Sequence, residues 1–335
     1  MANKVELVCP AGSFPALRAA VDNGADAVYM GFRDATNARN FPGLNFDDRT
    51  ARQGIDYAHA RGAKVLLALN TYPQPQSWPI WTAAVDKAAT LGVDALILAD
   101  PGLMAYAART HPELRLHLSV QGSATSAEAI AFYKERFNIQ RVVLPRVLSL
   151  SQVKRVIANT DVEVETFAFG SLCVMVEGRC YLSSYATGES PNTCGACSPA
   201  RSVRWEETPQ GRNVRLNGVL IDSYKGDDSA GYPVLCKGRF LVNGKLGYVL
   251  EEPTSLSVLG ILPQLIEAGV AAIKVEGRQR SPAYVAQVTK VLRQALDTAQ
   301  ANPEGYSPRS DWVAQLDKVA EGSTHTLGAL ERDWQ

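Results

Sequence analysis

The sequence predicts an α/β fold: a (β/α)8 TIM-like barrel with a cysteine-bearing, partly β insertion between strands 7 and 8. Three observations support this. Short apolar runs rich in β-branched residues recur, helix-like amphipathic segments alternate with them, and the runs number eight. Runs that are continuously apolar, rather than alternating with polar residues, suit a parallel sheet covered on both faces. An open doubly wound sheet would use the same alternation, but eight units fit the arithmetic of a closed barrel.

In order, the runs are "VELVC" (5–9), "DAVYMG" (26–31), "KVLLALN" (64–70) and "DALILAD" (94–100). They continue with "RLHLSV" (115–120), "RVVLP" (141–145), "VEVETFAFG" (162–170) and "AAIKVEG" (271–277). Between them lie "FPALRAAVDNG", "DRTARQGIDYAHARG", "WTAAVDKAATLG", "SAEAIAFYKERF", "LSQVKRVIAN" and "VLGILPQLIEAG". Several of these end in Gly shortly before the next strand, as a helix C-cap does.

The rhythm breaks after the seventh run, where ~100 residues precede the eighth instead of the short connection usual in a barrel. Within this stretch, "RLNGVL" and "LVNGKLGYVL" each set Asn-Gly between strand-like residues, a strong hairpin signal. The expected organisation is residues 1–170 for barrel strands 1 to 7, 171–260 for the insertion, 261–300 for the last barrel unit and 301–335 for a helical tail.

With 335 residues the chain can bury a large core, and 34 Lys plus Arg balance 34 Asp plus Glu. No global field draws it to nucleic acid or anionic lipid, so neither is an expected partner. The N-terminal "MANKVELVCPAGS" lacks the apolar run of a signal peptide, and no apolar stretch is long enough to span a bilayer. The expected location is therefore the cytoplasm, with no transmembrane segment. Thiols stay reduced there, so clustered cysteines suggest metal or redox chemistry before disulfides.

Five of the six cysteines fall between Cys173 and Cys236: Cys173, Cys180, Cys194, Cys197 and Cys236. Four thiolates can serve a structural zinc or an iron–sulfur cluster. Cys194 and Cys197 form the short pair usual in zinc sites, whereas Cys173 and Cys180 are more loosely spaced, as a larger cluster allows. On spacing alone both remain open.

The stretch "ETFAFGSLCVMVEGRCYLS" (165–183) resembles the signature of the collagenase-like peptidase family, a U32-type peptidase family. "PAGS" after the first run, "GADAVYMG" in the second and "LIEAGVAAIKVEGRQRSPAYV" at the eighth resemble its other landmarks. The resemblance spans roughly residues 5–295 and implies a barrel. It further implies a 4Fe–4S cluster on Cys173, Cys180, Cys197 and Cys236, spaced Cys-x6-Cys-x16-Cys-x38-Cys. Cys194 would be a spare loop thiol, with replacement of Cys236 by Cys194 as the rival tetrad, and Cys9 a strand-packing residue. "TNARNFPGLNF", "CYLSSYATGESPNT" and "GACSPARSVRW" are similar to the branch acting in ubiquinone biosynthesis. That branch implies anaerobic, oxygen-independent hydroxylation of a prenylated phenol, a homologous partner subunit in a heterodimer, and prephenate, a dicarboxylate, as oxygen donor. An RNA-hydroxylating relative, a peptidase and a noncatalytic assembly subunit are the alternatives. Many relatives carry a further cysteine where this chain has "SPAR", so the neighbourhood of a cluster here would be expected to differ from theirs.

Strand ends in a barrel aim side chains into the mouth. Here they supply Asn70, Asp100, Gln121, Arg146, Glu165, Lys274, Glu276 and Arg278, and "TNARNF" adds Asn37, Arg39 and Asn40. Cations beside carboxylates suit an anionic small molecule, because Arg can hold a carboxylate through two hydrogen bonds. Pairing among themselves to brace the loops is the structural alternative. Arg39, Arg146, Glu276 and Arg278 are the pocket candidates. Peptidase chemistry finds little support: His59, His111, His117 and His325 form no HExxH pattern, and no Gly-x-Ser-x-Gly elbow occurs. His59 and His111 are expected at the surface and His117 in a hydrogen-bonded core position.

Overall fold

The computed structural model describes residues 4–173, 175, 180–189, 191, 197–226, 228 and 230–331. Seven parallel strands follow the predicted runs: β1 (Glu6–Pro10), β2 (Ala27–Met30), β3 (Lys64–Leu69), β4 (Ala95–Leu98), β5 (Arg115–Leu118), β6 (Arg141–Val143) and β7 (Glu163–Ser171). The insertion carries β8 (Val203–Thr208), β9 (Gly211–Leu216), β10 (Val219–Tyr224), β11 (Arg239–Val242) and β12 (Lys245–Tyr248). A short β13 (Ser255–Ser257) and the last barrel strand, β14 (Ala272–Val275), follow. β14 pairs in parallel with both β1 and β7, so the eight-strand parallel barrel is closed and the open-sheet alternative is excluded.

Helices form where the sequence supplies both a cap and an apolar face. Ser13, Asp47, Ser126 and Ser149 cap the helices Phe14–Asp22, Asp48–His59, Ala127–Phe137 and Leu150–Ala158, each accepting a backbone N–H in the first turn. The helix Pro101–Thr110 was not among the segments expected from the sequence. Its composition, "PGLMAYAART", opens with Pro-Gly, which reads as a turn. Pro101 instead occupies the first helical position, behind a cap from Asp100.

Both Asn-Gly turns form as expected. Asn217 and Gly218 have φ of 46° and 85°, and Asn243 and Gly244 have 50° and 76°, as tight hairpins between β9 and β10 and between β11 and β12 require. The insertion has a small core of its own, made of Ala186, Val203, Val214, Leu216 and Ile221. Its expected end at residue 260 shifts, because β13 pairs antiparallel with the last residues of β7 and belongs to the barrel sheet. The tail is more than a helix. Beyond Ser310–Asp317 it adds β15 (His325–Thr326), which pairs with β13.

The barrel interior is divided by chemistry. Val8, Ala27, Tyr29, Leu66, Ala68, Ala95, Ile97 and Ala272 form an apolar half. Elsewhere a chain of ion pairs runs from Lys64–Glu6 at 2.5 Å through Glu6–Arg141 at 2.7 Å to Arg141–Glu163 at 2.7 Å. Arg141–Glu165 at 3.3 Å and Glu165–Lys274 at 2.7 Å complete it, linking the bottom of the barrel to its mouth.

His117 sits in this region, buried, and its Nε2 accepts a hydrogen bond from Arg115 Nε at 3.1 Å. Its Nδ1 has no partner. Burial first, then the charges of Arg141 and Arg115, hold its pKa well below the ordinary value. The folded protein therefore keeps this ring neutral while the unfolded chain protonates below about pH 6.5. Stability contributed at neutral pH is lost on acidification, by about 1 kcal/mol between pH 7 and 5.5. Denaturant titrations of His117→Asn at both pH values are expected to show a correspondingly smaller loss than the parent protein.

Candidate functional site

At the C-terminal ends of the barrel strands lies a cavity of ≈ 550 Å³ of empty space, counted out to where it opens to solvent. Of the residues expected at the mouth, Arg39, Asn70, Gln121, Arg146, Lys274, Glu276 and Arg278 line it. Tyr29, Ser119 and Phe167 line it as well and were not anticipated. Their signal was the inward phase of their runs, which period-2 counting along "DAVYMG", "RLHLSV" and "VETFAFG" would have given.

The remaining expected residues have supporting places. Asp100 caps its helix, accepting from Leu103 N at 2.8 Å. Glu165 is fully buried beneath the cavity between Lys274 and Arg141. Asn37 is fully buried and accepts a hydrogen bond from Arg278 Nη1. Asn40 is not among the lining residues.

Arg278 is the centre of this arrangement. It is buried, its guanidinium lies 5.5 Å from the centre of the Tyr29 ring, and Lys274 Nζ lies 4.1 Å from the same ring. Burial pulls the Arg278 pKa down to about 10, and the nearby Arg39 charge acts in the same direction, while Tyr29 and Glu276 oppose them. Among the described residues Arg278 forms no ion pair, and the Glu276 carboxylate forms neither a hydrogen bond nor an ion pair. The Oε1 atom of the buried Gln121 side chain likewise has no partner. A buried cation, a carboxylate and an amide oxygen with unused capacity, all facing one cavity, are matched to a polar ligand rather than to one another.

Two glycines explain how the loops come so close. A Cβ on Gly12 would stand 1.7 Å from the carbonyl oxygen of Arg278, and one on Gly31 would stand 2.4 Å from the Asn37 amide. The first lets the loop after β1 touch the loop after β14. The second leaves room for the side chain that holds the guanidinium.

Cys173 follows the end of β7, and Cys180 caps the helix Tyr181–Thr187, its sulfur accepting from Ser183 N at 3.5 Å. The carbonyl of Cys197 accepts from Ser183 Oγ, and Cys236 lies in the 3-10 turn Leu235–Lys237 that packs on that same helix. Cys194 lies outside the described residues.

Burial pushes the Cys236 thiol up to about 12; Lys237 counteracts this, and Cys173, Cys197 and Cys180 add to it. Among the described residues no three His, Cys, Asp or Glu side chains form a group fit for a single metal ion. Four partly buried thiols from separate segments are the donor type that a metal–sulfur cluster takes, and the positive charge of such a cluster would favour the thiolate state that burial alone opposes. Cys9, by contrast, is fully buried, receives a hydrogen bond from Thr289 Oγ1 at 3.2 Å, and has its thiol pushed up to about 12 by burial. It serves as strand packing, as expected.

The histidines are bound up in local pairs. His59 meets Asp94 at 2.8 Å, His111 meets Asp86 at 2.8 Å and His325 meets Asp317 at 2.6 Å. None of them lines the cavity. Among the described residues, no helix is long and apolar enough to cross a membrane.

Residues 12–332 match Peptidase family U32. The chain is 29% identical over 323 residues to tRNA hydroxylation protein P1 of Bacillus subtilis, covering 96% of this chain and 70% of that protein. It is 30% identical to tRNA hydroxylation protein P of Escherichia coli, covering 98% of this chain and 75% of that protein. It is also 30% identical to the 23S rRNA 5-hydroxycytidine C2501 synthase of Escherichia coli, covering 88% of this chain but 40% of that protein.

Proposed function

The chain belongs to peptidase family U32, and on that premise we propose that it is the iron–sulfur subunit of an oxygen-independent hydroxylase. The ring hydroxylated is that of a prenylated phenol in ubiquinone biosynthesis. In this reading the protein is of the UbiU type and works in the cytoplasm in a heterodimer with a homologous, UbiV-like subunit. The observation that carries the reading is the placement of four cysteines: Cys173 follows β7, Cys180 caps the helix Tyr181–Thr187, Cys197 is hydrogen-bonded to that helix through Ser183, and Cys236 lies in the turn packed on it. Relatives named for tRNA hydroxylation and 5-hydroxycytidine synthesis support a hydroxylation role for the family.

Cys173, Cys180, Cys197 and Cys236 would hold a 4Fe–4S cluster, which supplies one-electron chemistry when bound. The cavity does the rest. Arg278, with Arg39 and Arg146, offers guanidinium donors to the carboxylates of the oxygen donor, prephenate in this reading. Tyr29 and Phe167 give aromatic walls against which a ring can stack, and the Glu276 carboxylate can take the proton of a phenol hydroxyl.

Calorimetric titration with prephenate tests the role of Arg278. Removing a charged hydrogen-bond donor costs about 1.5–3 kcal/mol, so Arg278→Ala is expected to bind roughly 10- to 100-fold more weakly. An unchanged affinity would place the anion elsewhere.

A second reading, hydroxylation of RNA, rests on those same relatives' names. Deleting the gene and measuring quinones and RNA nucleosides after growth with and without oxygen separates the two. Loss of ubiquinone restricted to growth without oxygen is the expected result. Unchanged quinones with a missing hydroxylated nucleoside would replace this reading by the second.

A further inference from the structure

The side chain of Lys237, next to Cys236, is 7% exposed and points to Ser171 and Glu321. Its ammonium donates to Ser171 Oγ at 3.0 Å and pairs with the Glu321 carboxylate from the tail. Glu321 also pairs with Arg280 at 3.1 Å, and its backbone N–H donates to Ser255 Oγ of β13 at 2.9 Å. On the other side, the carbonyl of Ser171 accepts from Arg146 Nη1, which lines the cavity, at 2.5 Å. A nearly buried cation therefore stands beside a candidate ligand, fixed by the tail and joined through Ser171 to the barrel mouth.

We propose that Lys237 and Glu321 form an opposed charge pair that sets the reduction potential of the metal–sulfur site, Lys237 favouring the reduced state and Glu321 moderating it. The inference rests on the cluster reading above. One-electron reduction makes the site one unit more negative, so a fixed cation nearby stabilises the reduced form and a fixed anion destabilises it. Burial of the ammonium weakens solvent screening of its charge. The double hold on Glu321 keeps the tail carboxylate from following its partner.

Potentiometric titration with dithionite, followed by electron paramagnetic resonance of anaerobically reconstituted protein, tests this without reference to turnover. At the potential where half of the parent protein is reduced, Lys237→Met is expected to be less than half reduced and Glu321→Gln more than half. Lys237→Arg, which keeps the charge, is expected to stay near the parent value. Shifts of opposite sign are the mark of charge, because a merely loosened site would move both variants the same way. Unmoved midpoints, or shifts of one sign, overturn the inference even if Lys237→Met holds its cluster poorly, since Glu321→Gln alone must move upward. A parent protein that binds no iron would instead sink the cluster reading itself.

Discussion

Glu165→Leu is expected to lower stability by about 3–5 kcal/mol, the usual result of leaving a buried charge without its partner. The Glu165 side chain is fully buried and meets Lys274 at 2.7 Å and Arg141 at 3.3 Å. Arg141 would keep Glu6 and Glu163, both at 2.7 Å. Lys274 would keep no carboxylate within ion-pair distance among the described residues. Its burial already pulls its pKa below the ordinary lysine value, with Glu165 as the main opposing influence. The double variant Glu165→Leu/Lys274→Met removes both ends of the pair and is expected to recover most of the loss, since apolar replacement of a whole buried pair is often neutral. Guanidinium denaturation of the three proteins measures this. A double variant as unstable as the single one would mean that packing, and not the stranded charge, accounts for the cost.

Cys236→Ala is expected to abolish stable cluster binding, with iron per chain falling below half of the parent value after anaerobic purification. Cys194→Ala is expected to leave it unchanged. The expectation for Cys236 follows from its position. Cys236 lies in the turn that packs on the helix capped by Cys180, and its thiol feels Cys173, Cys197 and Cys180. Removing one thiolate from a four-ligand site leaves a metal position open to solvent and oxidation. If Cys194→Ala loses the iron and Cys236→Ala keeps it, the tetrad is Cys173, Cys180, Cys194 and Cys197.

The barrel was legible because its eight strands are buried on both faces and so read as unbroken apolar runs. The helix Pro101–Thr110 was not, because an opening Pro-Gly reads as a turn until Asp100 is seen to cap it. At the mouth, strand-end counting found Arg278, Glu276 and Gln121 but could not distinguish a residue facing the cavity from one beneath it. Glu165 lies two residues before Phe167 on β7, on the same inward phase, yet sits a layer deeper, where it meets Lys274 and Arg141. The Glu6–Arg141 pair had no signal because ion pairs between strands far apart in sequence leave no local pattern, whereas His117 takes the buried, hydrogen-bonded place expected of it. The contacts of Lys237 were hidden for the same reason: its partners, Ser171 and Glu321, lie 66 and 84 residues away.

The central claim, that Cys173, Cys180, Cys197 and Cys236 together hold a metal–sulfur cluster, is tested most directly by iron, sulfide and zinc analysis of protein purified without oxygen. Brown protein with about four iron and about four sulfide per chain is the expected result. Colourless protein carrying one zinc and no sulfide would contradict it.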